Sequence, residues 1–441
     1  MKSFLCVLSV LLFINLSCND RIIRYFLTSE QVVSSLPTSI EENSNQQVTT
    51  RKAASNNRKI CGDQLNYAPD TSYIDHTPMR WVRVNFHFVD SKAGGINFGE
   101  EEGVAFSHEL LKVCNERMLT NAKMHLPKGN ETPIVPPRYQ FVLAGKHAND
   151  DGIYFHNNDS LFVFNKKRGR GSLFSREQYN VLGTRKGEVI NVFFLEHHPD
   201  SIASKTYKAS SDGVGYYDWA KVGGSYQIWQ ERKEKYKNWT CLSEFISGIF
   251  NHELGHSLGL AHTWAGNDGC DDTPKNANCW YPDKNWEACN SIEKVSNNMM
   301  DYNAWRNALT PCQIGRVHKR MATPKSKQRK KLDPVWCVYK PEAKIVIPKG
   351  ARITWLGAKD LEGDLVIEKN AKLTIHCTIS LPKKAKIIVK PGGTLALNGA
   401  KLTNLCGEKW QGIEVEQQGN IRGRVEMVSE STIENAVNGG F

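Results

Sequence analysis

Apolar and polar residues alternate in short stretches of the chain, and this pattern predicts the strands of a first region. The clearest stretch is Trp81–Phe88, which alternates like a strand buried on one face. Further strands are predicted at Tyr139–Leu143 and Val189–Leu195. The long polar stretches 146–187 and 201–237 interrupt this pattern, and we interpret them as insertions.

Apolar residues at helical spacing predict three helices. Residues 102–123 have this spacing. A second helix is expected to begin at the N-cap Thr240 and to run into residue 252 and beyond. Its apolar face consists of four residues: Leu242, Phe245, Ile246 and Ile249. A third helix is expected to follow Thr310 and Pro311 as far as Met321.

The last hundred residues have a repeating pattern. Ile345–Trp355, Leu365–Ile375 and Ile387–Leu397 align with one another, each with two alternating runs split by a polar turn. Such repeats are typical of an all-β right-handed solenoid whose coils stack. A β-sandwich with coincidental similarity is the alternative. The pattern continues more weakly at 412–415 and Val425, and without a visible capping segment we expect the array to extend past the given sequence.

The amino terminus resembles an export signal. Lys2 precedes a short apolar run, Phe4–Ile14, which is too short to span a membrane. Cys18 resembles the lipidated first residue of a bacterial lipoprotein, although Asn15 stands where an aliphatic residue is usual. Ordinary signal cleavage near Ser17 is the alternative. We therefore expect export, to a secreted or an outer-membrane or cell-surface lipoprotein form, with membrane attachment through lipid on Cys18 in the second case.

Composition narrows the class of protein. A chain of 441 residues with 40% hydrophobic residues is long enough for two or three units with real cores. The net charge is +11, but the basic residues are spread along the chain, and the dense run Lys325–Lys331 sits where a linker would. We therefore expect no nucleic-acid partner. The 12 cysteines suit an exported, disulfide-bonded protein.

The strongest motif is His-Glu-Leu-Gly-His-Ser-Leu-Gly-Leu-Ala-His, from His252 to His262. His252 and His256 lie one turn apart on the same face of a helix, so that they can share a metal ion. Gly259 can adopt the backbone angles that end the helix and return the chain. That turn lets His262 act as the third ligand. Three histidines leave a fourth position open for water, which indicates a catalytic zinc site.

The residue after the first ligand supplies the base. Zinc lowers the pKa of a bound water from about 15.7 to about 7. Glu253 can accept the proton as this water attacks a polarised carbonyl. The alternative is that these are core or surface histidines of an ordinary helix with no metal. The eleven-residue motif is, however, much more specific for a metal site than His-Glu-x-x-His alone. The motif therefore predicts a zinc hydrolase with one catalytic ion.

The long motif resembles that of the metzincin metallopeptidases. Asn298–Tyr302 resembles the Met-turn of the pappalysin group, which includes the cytophagalysins, and Asp271–Pro274 and Leu309–Gln313 are also similar to that group. The resemblance covers about residues 58–325. It departs from the group at Cys312, where Gly is usual, and in the long insertions.

This resemblance implies an α/β catalytic domain with two lobes around a cleft, acting on protein or peptide substrates. It implies that Met300 forms a hydrophobic base beneath the zinc and that Tyr302 steadies the oxyanion. It also suggests the crossed disulfides Cys270–Cys289 and Cys279–Cys312, the second in doubt because Cys312 is displaced. Zinc binding by these cysteines is the alternative, but they contain no Cys-x-x-Cys pair.

Cys61-Gly62 resembles the cysteine switch of the same group. A Cys61 thiolate would occupy the open zinc position until the pro-segment is removed. The alternative is a disulfide with Cys114 or Cys241. Calcium binding is a further option, because acidic residues cluster near the motif, although surface acids explain them as well. These residues are Asp268, Asp271 and Asp272.

The predicted organisation has five parts. They are a signal peptide (1–17), a tether and pro-segment (18–75), a zinc metallopeptidase domain (76–325), a basic linker (326–340) and solenoid-like repeats (341–441). A solvated linker implies that the metallopeptidase region folds without the repeats. The alternative function is a surface or carbohydrate-binding solenoid protein with an accessory or inactive peptidase domain. Nothing in the sequence identifies a partner protein or a cleavage-site preference.

Overall fold

The computed structural model describes residues 59–165 and 173–437. The predicted signal peptide, Cys18 and the tether as far as residue 58 lie outside the described residues. No described helix combines the length and the apolar character needed to cross a membrane.

A six-stranded sheet forms the centre of the first region. Its strands are β1 (Arg80–Asp90), β2 (Tyr139–Leu143), β3 (Ile153–Asn157), β4 (Ile190–Leu195), β5 (Asp212–Gly215) and β6 (Trp219–Gly223). The order is β2-β1-β4-β6-β5, and β3 pairs with the second half of β1. All pairs are parallel except β5 with β6. The predicted strands are confirmed, but β1 is central and buried on both faces from Val84 to Val89, not on one.

The described helices are α1 (Glu100–Thr120), α2 (Glu177–Leu182), α3 (Pro199–Ile202), α4 (Ser225–Tyr236), α5 (Trp239–Ser257) and α6 (Pro311–Ala322). Helices α1 and α5 pack on each other and on the sheet through a core that includes Phe86 and Phe250, whose rings meet edge to face at 5.5 Å. The apolar face of α5 is buried as predicted except at Phe245, which is 46% exposed under Arg232.

The helix ends show why α5 and α6 begin where they do. The predicted N-cap Thr240 is wrong: the Asn238 side chain accepts the backbone N–H of Cys241, while Thr240 donates to Glu109. Asparagine is as strong an N-cap as serine, so α5 begins earlier than expected. For α6 the prediction is confirmed, because Thr310 and Gln313 form a reciprocal capping box with proline at the first turn.

The second region consists of three parallel four-stranded sheets. The first contains β7 (Ile345–Ile347), β10 (Leu365–Ile367), β13 (Lys386–Val389) and β16 (Gly412–Val415). The second contains β8 (Arg352–Trp355), β11 (Lys372–Ile375), β14 (Thr394–Asn398) and β19 (Arg424–Ser429). The third contains β9 (Lys359–Asp360), β12 (Thr378–Ser380), β15 (Lys401–Thr403) and β20 (Thr432–Ile433). A short antiparallel pair, β17 (Gln417–Gln418) and β18 (Ile421–Arg422), lies outside them.

The aligned repeats pair in the register in which their sequences align. Leu365 is the strand partner of both Ile345 and Ile387, and Leu373 is the partner of both Ile353 and Leu395. These residues are buried in one apolar core. The third sheet was not predicted, because its strands are only two or three residues long.

The expectation of a solvated basic linker at 326–340 is wrong for most of this segment. Lys331 is fully buried and its Nζ lies 2.7 Å from Asp218. Arg329 donates to both carboxylate oxygens of Asp360, at 2.6 and 2.8 Å. Leu332 and Trp336 belong to the core of the first region. The basic run is packed because its charges have acidic partners, which a linear sequence does not reveal.

Four described disulfides revise the predicted pairings. Cys270 bonds Cys312 and Cys279 bonds Cys289, with Cα–Cα distances of 5.6 and 5.8 Å, so all four residues are paired as expected but the crossed pattern is wrong. Each of the other two bonds joins a residue that precedes the repeats to a residue within them. They are Cys61–Cys377 and Cys337–Cys406. Connectivity depends on which Cβ atoms the fold brings together, and spacing does not fix it.

The cysteine-switch prediction for Cys61 is therefore also wrong. A sulfur bonded to Cys377 is no thiolate and cannot be a zinc ligand. The alternative partners Cys114 and Cys241 are wrong as well, and Cys114 is a buried free thiol. The bond to Cys377 instead anchors the start of the described chain to the second region.

Candidate metal centre

Three histidines converge at the end of α5. His252 and His256 lie on its last turns, and Gly259, at φ +93°, turns the chain so that His262 returns beside them. The Nε2 atom of His262 lies 3.1 Å from that of His252 and 3.0 Å from that of His256. Nitrogens bound to one zinc at about 2.0–2.1 Å with tetrahedral angles lie about 3.3 Å apart. The spacing therefore fits a single ion.

Hydrogen bonds from the Nδ1 atoms of two histidines fix the direction in which their Nε2 lone pairs point. His252 Nδ1 donates to the carbonyl of Met299 at 2.7 Å, and His256 Nδ1 donates to that of Leu260 at 3.0 Å. Each Nε2 is then unprotonated and faces the shared centre. Burial lowers the pKa of all three histidines, that of His262 to about 3. Neutral imidazoles whose lone pairs meet at one point form a donor set that suits zinc.

Glu253 lies buried in the wall of the same site. Burial raises its pKa to about 8, while Arg306 and the backbone of Gly215 favour the carboxylate. A cation at the histidines would favour the charged form further. The neighbouring wall is the edge strand β5, which approaches so closely that a Cβ on Gly213 would lie 2.6 Å from Glu253 Cγ. A side chain at position 213 would therefore displace Glu253, and at Gly215 an added Cβ would clash with the Glu253 backbone itself, so glycine lets strand and helix meet there.

The Met-turn underlies the histidines. Met300 is fully buried, and a Cβ on Gly255 of α5 would lie 2.5 Å from its sulfur. Asn298 holds the turn, because its Oδ1 accepts the Met300 backbone N–H at 2.8 Å. Asp301 ties it to the segment after His262 by accepting from Thr263 N at 3.2 Å and from Asn276 at 2.9 Å. These contacts explain how a distant segment supports the histidine cluster.

Tyr302 lies on the open side of the cluster. Its ring centroid is 4.9 Å from that of His262 and 5.7 Å from that of His252. Trp264 stacks on His262 at 4.0 Å and contacts Tyr302 at 4.6 Å. Tyr302 is 44% exposed, so its side chain borders the cleft and not the core. The structure thus brings together His252, Glu253, His256, His262, Met300 and Tyr302, the set that the sequence singled out.

An open cleft of about 730 Å³ runs over the cluster. Its lining includes β5 with Tyr216 and Tyr217, and also Trp280 and Arg306. Strand β5 was not predicted from the sequence, although Val214–Val222 contains apolar residues that could have indicated strands within the stretch interpreted as a polar insertion. Arg306 was not predicted either, because a single arginine in a loop carries no local signal.

The acidic residues near the motif have structural partners. Asp268 accepts from Thr273 Oγ1 at 2.7 Å, and Asp272 accepts from Thr310 Oγ1 at 2.7 Å and from the Cys312 backbone at 3.0 Å. In the part of the chain that the structure describes, Asp268, Asp271 and Asp272 form no joint metal-binding group. Calcium binding is not supported. A cluster of Cys270, Asp272 and Cys312 exists, but its two sulfurs are joined in a disulfide.

Comparisons with known proteins found a match to one family model and several matches to solved structures. Residues 231–322 match the model of the peptidase family described as pregnancy-associated plasma protein-A. Mature mirolysin of Tannerella forsythia in complex with a cleaved peptide is 17% identical over 58% of this chain and 96% of that chain, with a TM-score of 0.36. Promirolysin of the same organism is 15% identical over 64% and 91%, with a TM-score of 0.38. No curated protein matches the chain significantly.

Proposed function

Since the chain is a metallopeptidase of the pappalysin type, we propose that it hydrolyses peptide bonds with one zinc ion and with Glu253 as general base. The observation that carries the proposal is that the Nε2 atom of His262 lies 3.0–3.1 Å from those of His252 and His256, beside a buried carboxylate in an open cleft. The ligands would be His252, His256 and His262. Bound zinc supplies a Lewis acid that polarises a carbonyl and lowers the pKa of its water.

Glu253 and Tyr302 would move and hold the reacting groups. The Glu253 carboxylate accepts a proton from the attacking water and returns it to the leaving nitrogen. Burial suits this role, because it raises the pKa of the carboxyl above its usual value and so makes the carboxylate a stronger base. The Tyr302 hydroxyl donates to the substrate oxygen as charge develops on it, and its place beside His252 and His262 supports this assignment.

The edge strand β5 would orient the substrate. Its partner β6 occupies one of its edges, and Gly213 and Val214 line the cleft on its other side. An extended peptide can pair with such an edge through backbone hydrogen bonds. Since Gly213 lies against Glu253, a peptide bound in this way would pass directly over the base.

We also propose that the three parallel sheets of the second region are the faces of a β-solenoid. In each sheet the strands follow one another in chain order, and successive coils place equivalent residues in register. The described disulfides support an oxidising location, and we propose that the amino-terminal segment directs export, with lipidation of Cys18 or cleavage near Ser17 as the two routes. Mass spectrometry of the mature amino terminus separates these routes.

The proposed function is tested by metal analysis together with peptide cleavage. The purified chain should contain about one zinc per molecule and cleave members of a peptide library. A chelator should remove both the zinc and the activity, and added zinc should restore the activity. His256→Ala should bind no zinc at this site and should be inactive. A metal-free chain that still cleaves peptides would contradict the proposal, and a zinc-loaded chain that cleaves none would favour a binding protein with an inactive domain.

A further inference from the structure

Arg306 is a partly buried cation in the lining of the cleft. Its backbone, at φ 43°, is held by Asn303, whose Oδ1 accepts the Arg306 N–H at 2.7 Å. Its stem crosses α5 at Gly248, where an added Cβ would lie 3.7 Å from both Cβ and Cδ of the arginine. The guanidinium then lies against Trp280, with its carbon 5.3 Å from the ring centroid. The head group is thus fixed in place at the edge of the catalytic centre.

This guanidinium lacks the acidic partners that Arg80 and Arg329 have. Among the described residues its Nε is buried without a hydrogen-bond partner. Burial lowers the pKa of Arg306, and the negative charges that Glu253 and Tyr302 can carry raise it. By contrast, Arg80 and Arg329, buried at the junction of the two regions, pair with acidic residues. Partial burial of an arginine without a counter-ion has a desolvation cost, and a carboxylate that enters the cleft can offset that cost.

We propose that Arg306 binds a carboxylate of the peptide substrate and thereby selects acidic substrates. The inference rests on the proposed peptidase function, because the cleft is the same. A guanidinium offers a planar fork of donors that matches a carboxylate, and the Trp280 face holds that plane. The carboxylate would belong either to an Asp or Glu side chain next to the scissile bond or to the carboxyl terminus of a short peptide. Both sources share the chemistry that Arg306 recognises.

Matched peptides test this inference. One series compares Glu with Gln, and Asp with Asn, at each position around the cleaved bond, with amidated carboxyl termini. A second series compares a free with an amidated carboxyl terminus in otherwise neutral peptides. The wild type should prefer the acidic member of one series in kcat/KM. Arg306→Gln should reduce that preference about 10- to 100-fold, the range of a lost charge-assisted hydrogen bond. Arg306→Lys should retain part of it, since the charge remains without the fork.

Binding is measured separately from turnover. In a Glu253→Ala background, calorimetry should show that the acidic peptide binds more tightly than its amide partner, and that Arg306→Gln removes the difference. Arg352→Gln, an exposed arginine of β8, is the matched control and should preserve the preference. Circular dichroism and thermal melting check that each variant is folded, and Arg306→Lys serves if Arg306→Gln does not fold.

Three results would overturn the inference. If the wild type cleaves acidic and amide peptides equally, Arg306 does not select a carboxylate, although the proposed peptidase function stands. If Arg306→Gln slows all peptides equally and shifts the pH profile, Arg306 acts on Glu253 and not on the substrate. If the acidic peptide binds no more tightly than the amide, the inference fails even without turnover data. Failure to cleave any peptide would instead contradict the proposed function.

Discussion

A chain that ends at Lys325 should not fold, although the basic run after this residue reads as a linker. The removed segment completes the first region. Leu332 forms a bridge with Val82 of β1, and Asp333 N donates to the Trp81 carbonyl at 2.8 Å. Trp336 is only 5% exposed and belongs to the same core as helix α5. Truncation would expose this part of the core to water.

The expected loss approaches the whole stability of a domain. Removal of a buried tryptophan costs about 3–5 kcal/mol, and removal of a buried leucine costs about 2–5 kcal/mol. Arg80 would also lose its buried partners Asp360 and Glu362, which costs about 3–5 kcal/mol. A domain is typically stable by about 5–15 kcal/mol. These losses are not strictly additive, but together they suffice to unfold the remainder.

Point variants in the whole chain make the test quantitative. Trp336→Ala should lower the urea midpoint by an amount equivalent to about 3–5 kcal/mol. Val338→Ala is the matched control, because Val338 is 62% exposed two residues away, and it should change stability by less than about 0.5 kcal/mol. A soluble chain ending at Lys325 that unfolds cooperatively and binds zinc would show that residues 326–340 are not part of the core. A Trp336→Ala variant as stable as the Val338→Ala control would show the same.

Two further predictions concern the oxyanion and pH. Tyr302→Phe should keep its zinc but lower kcat by up to about 100- to 1000-fold. Both kcat and metal content are measured, and an unchanged kcat would mean that Tyr302 does not stabilise the oxyanion. Burial lowers the pKa of Lys359 from 10.5 to about 8 in the folded chain. Between these two pH values the unfolded chain binds more protons than the folded chain, so the free energy of unfolding should rise with pH. Urea midpoints from pH 7.5 to 10 should show this rise, and Lys359→Met should flatten it; equal slopes would contradict the assignment.

The cluster of three histidines with Glu253 could be predicted from the sequence because its geometry is local. His252, Glu253 and His256 lie on one helix, and a single glycine turn returns His262. The repeats were also predictable, since stacking requires the same apolar positions in each coil. In both cases a short stretch of chain contains the whole pattern.

Features that depend on distant contacts could not be predicted. Lys331 is buried because Asp218, over a hundred residues away, accepts its charge. Cys61 meets Cys377 across a separation of 316 residues, which no spacing rule predicts. Strand β5 lies on α5 only because glycines remove side chains from the contact, and a polar sequence conceals that role. The position of Arg306 in the lining of the cleft is likewise set by the folded chain and could not be predicted from its neighbours in sequence.

The central claim is that Glu253 is the base and not a ligand, and Glu253→Ala tests it most directly. Zinc content and peptide turnover are measured on the same preparation, with His256→Ala as the variant that loses the metal. We expect Glu253→Ala to retain about one zinc per molecule and the wild-type circular dichroism spectrum but to show no measurable turnover. Turnover at the wild-type rate by the zinc-loaded Glu253→Ala chain would contradict the account.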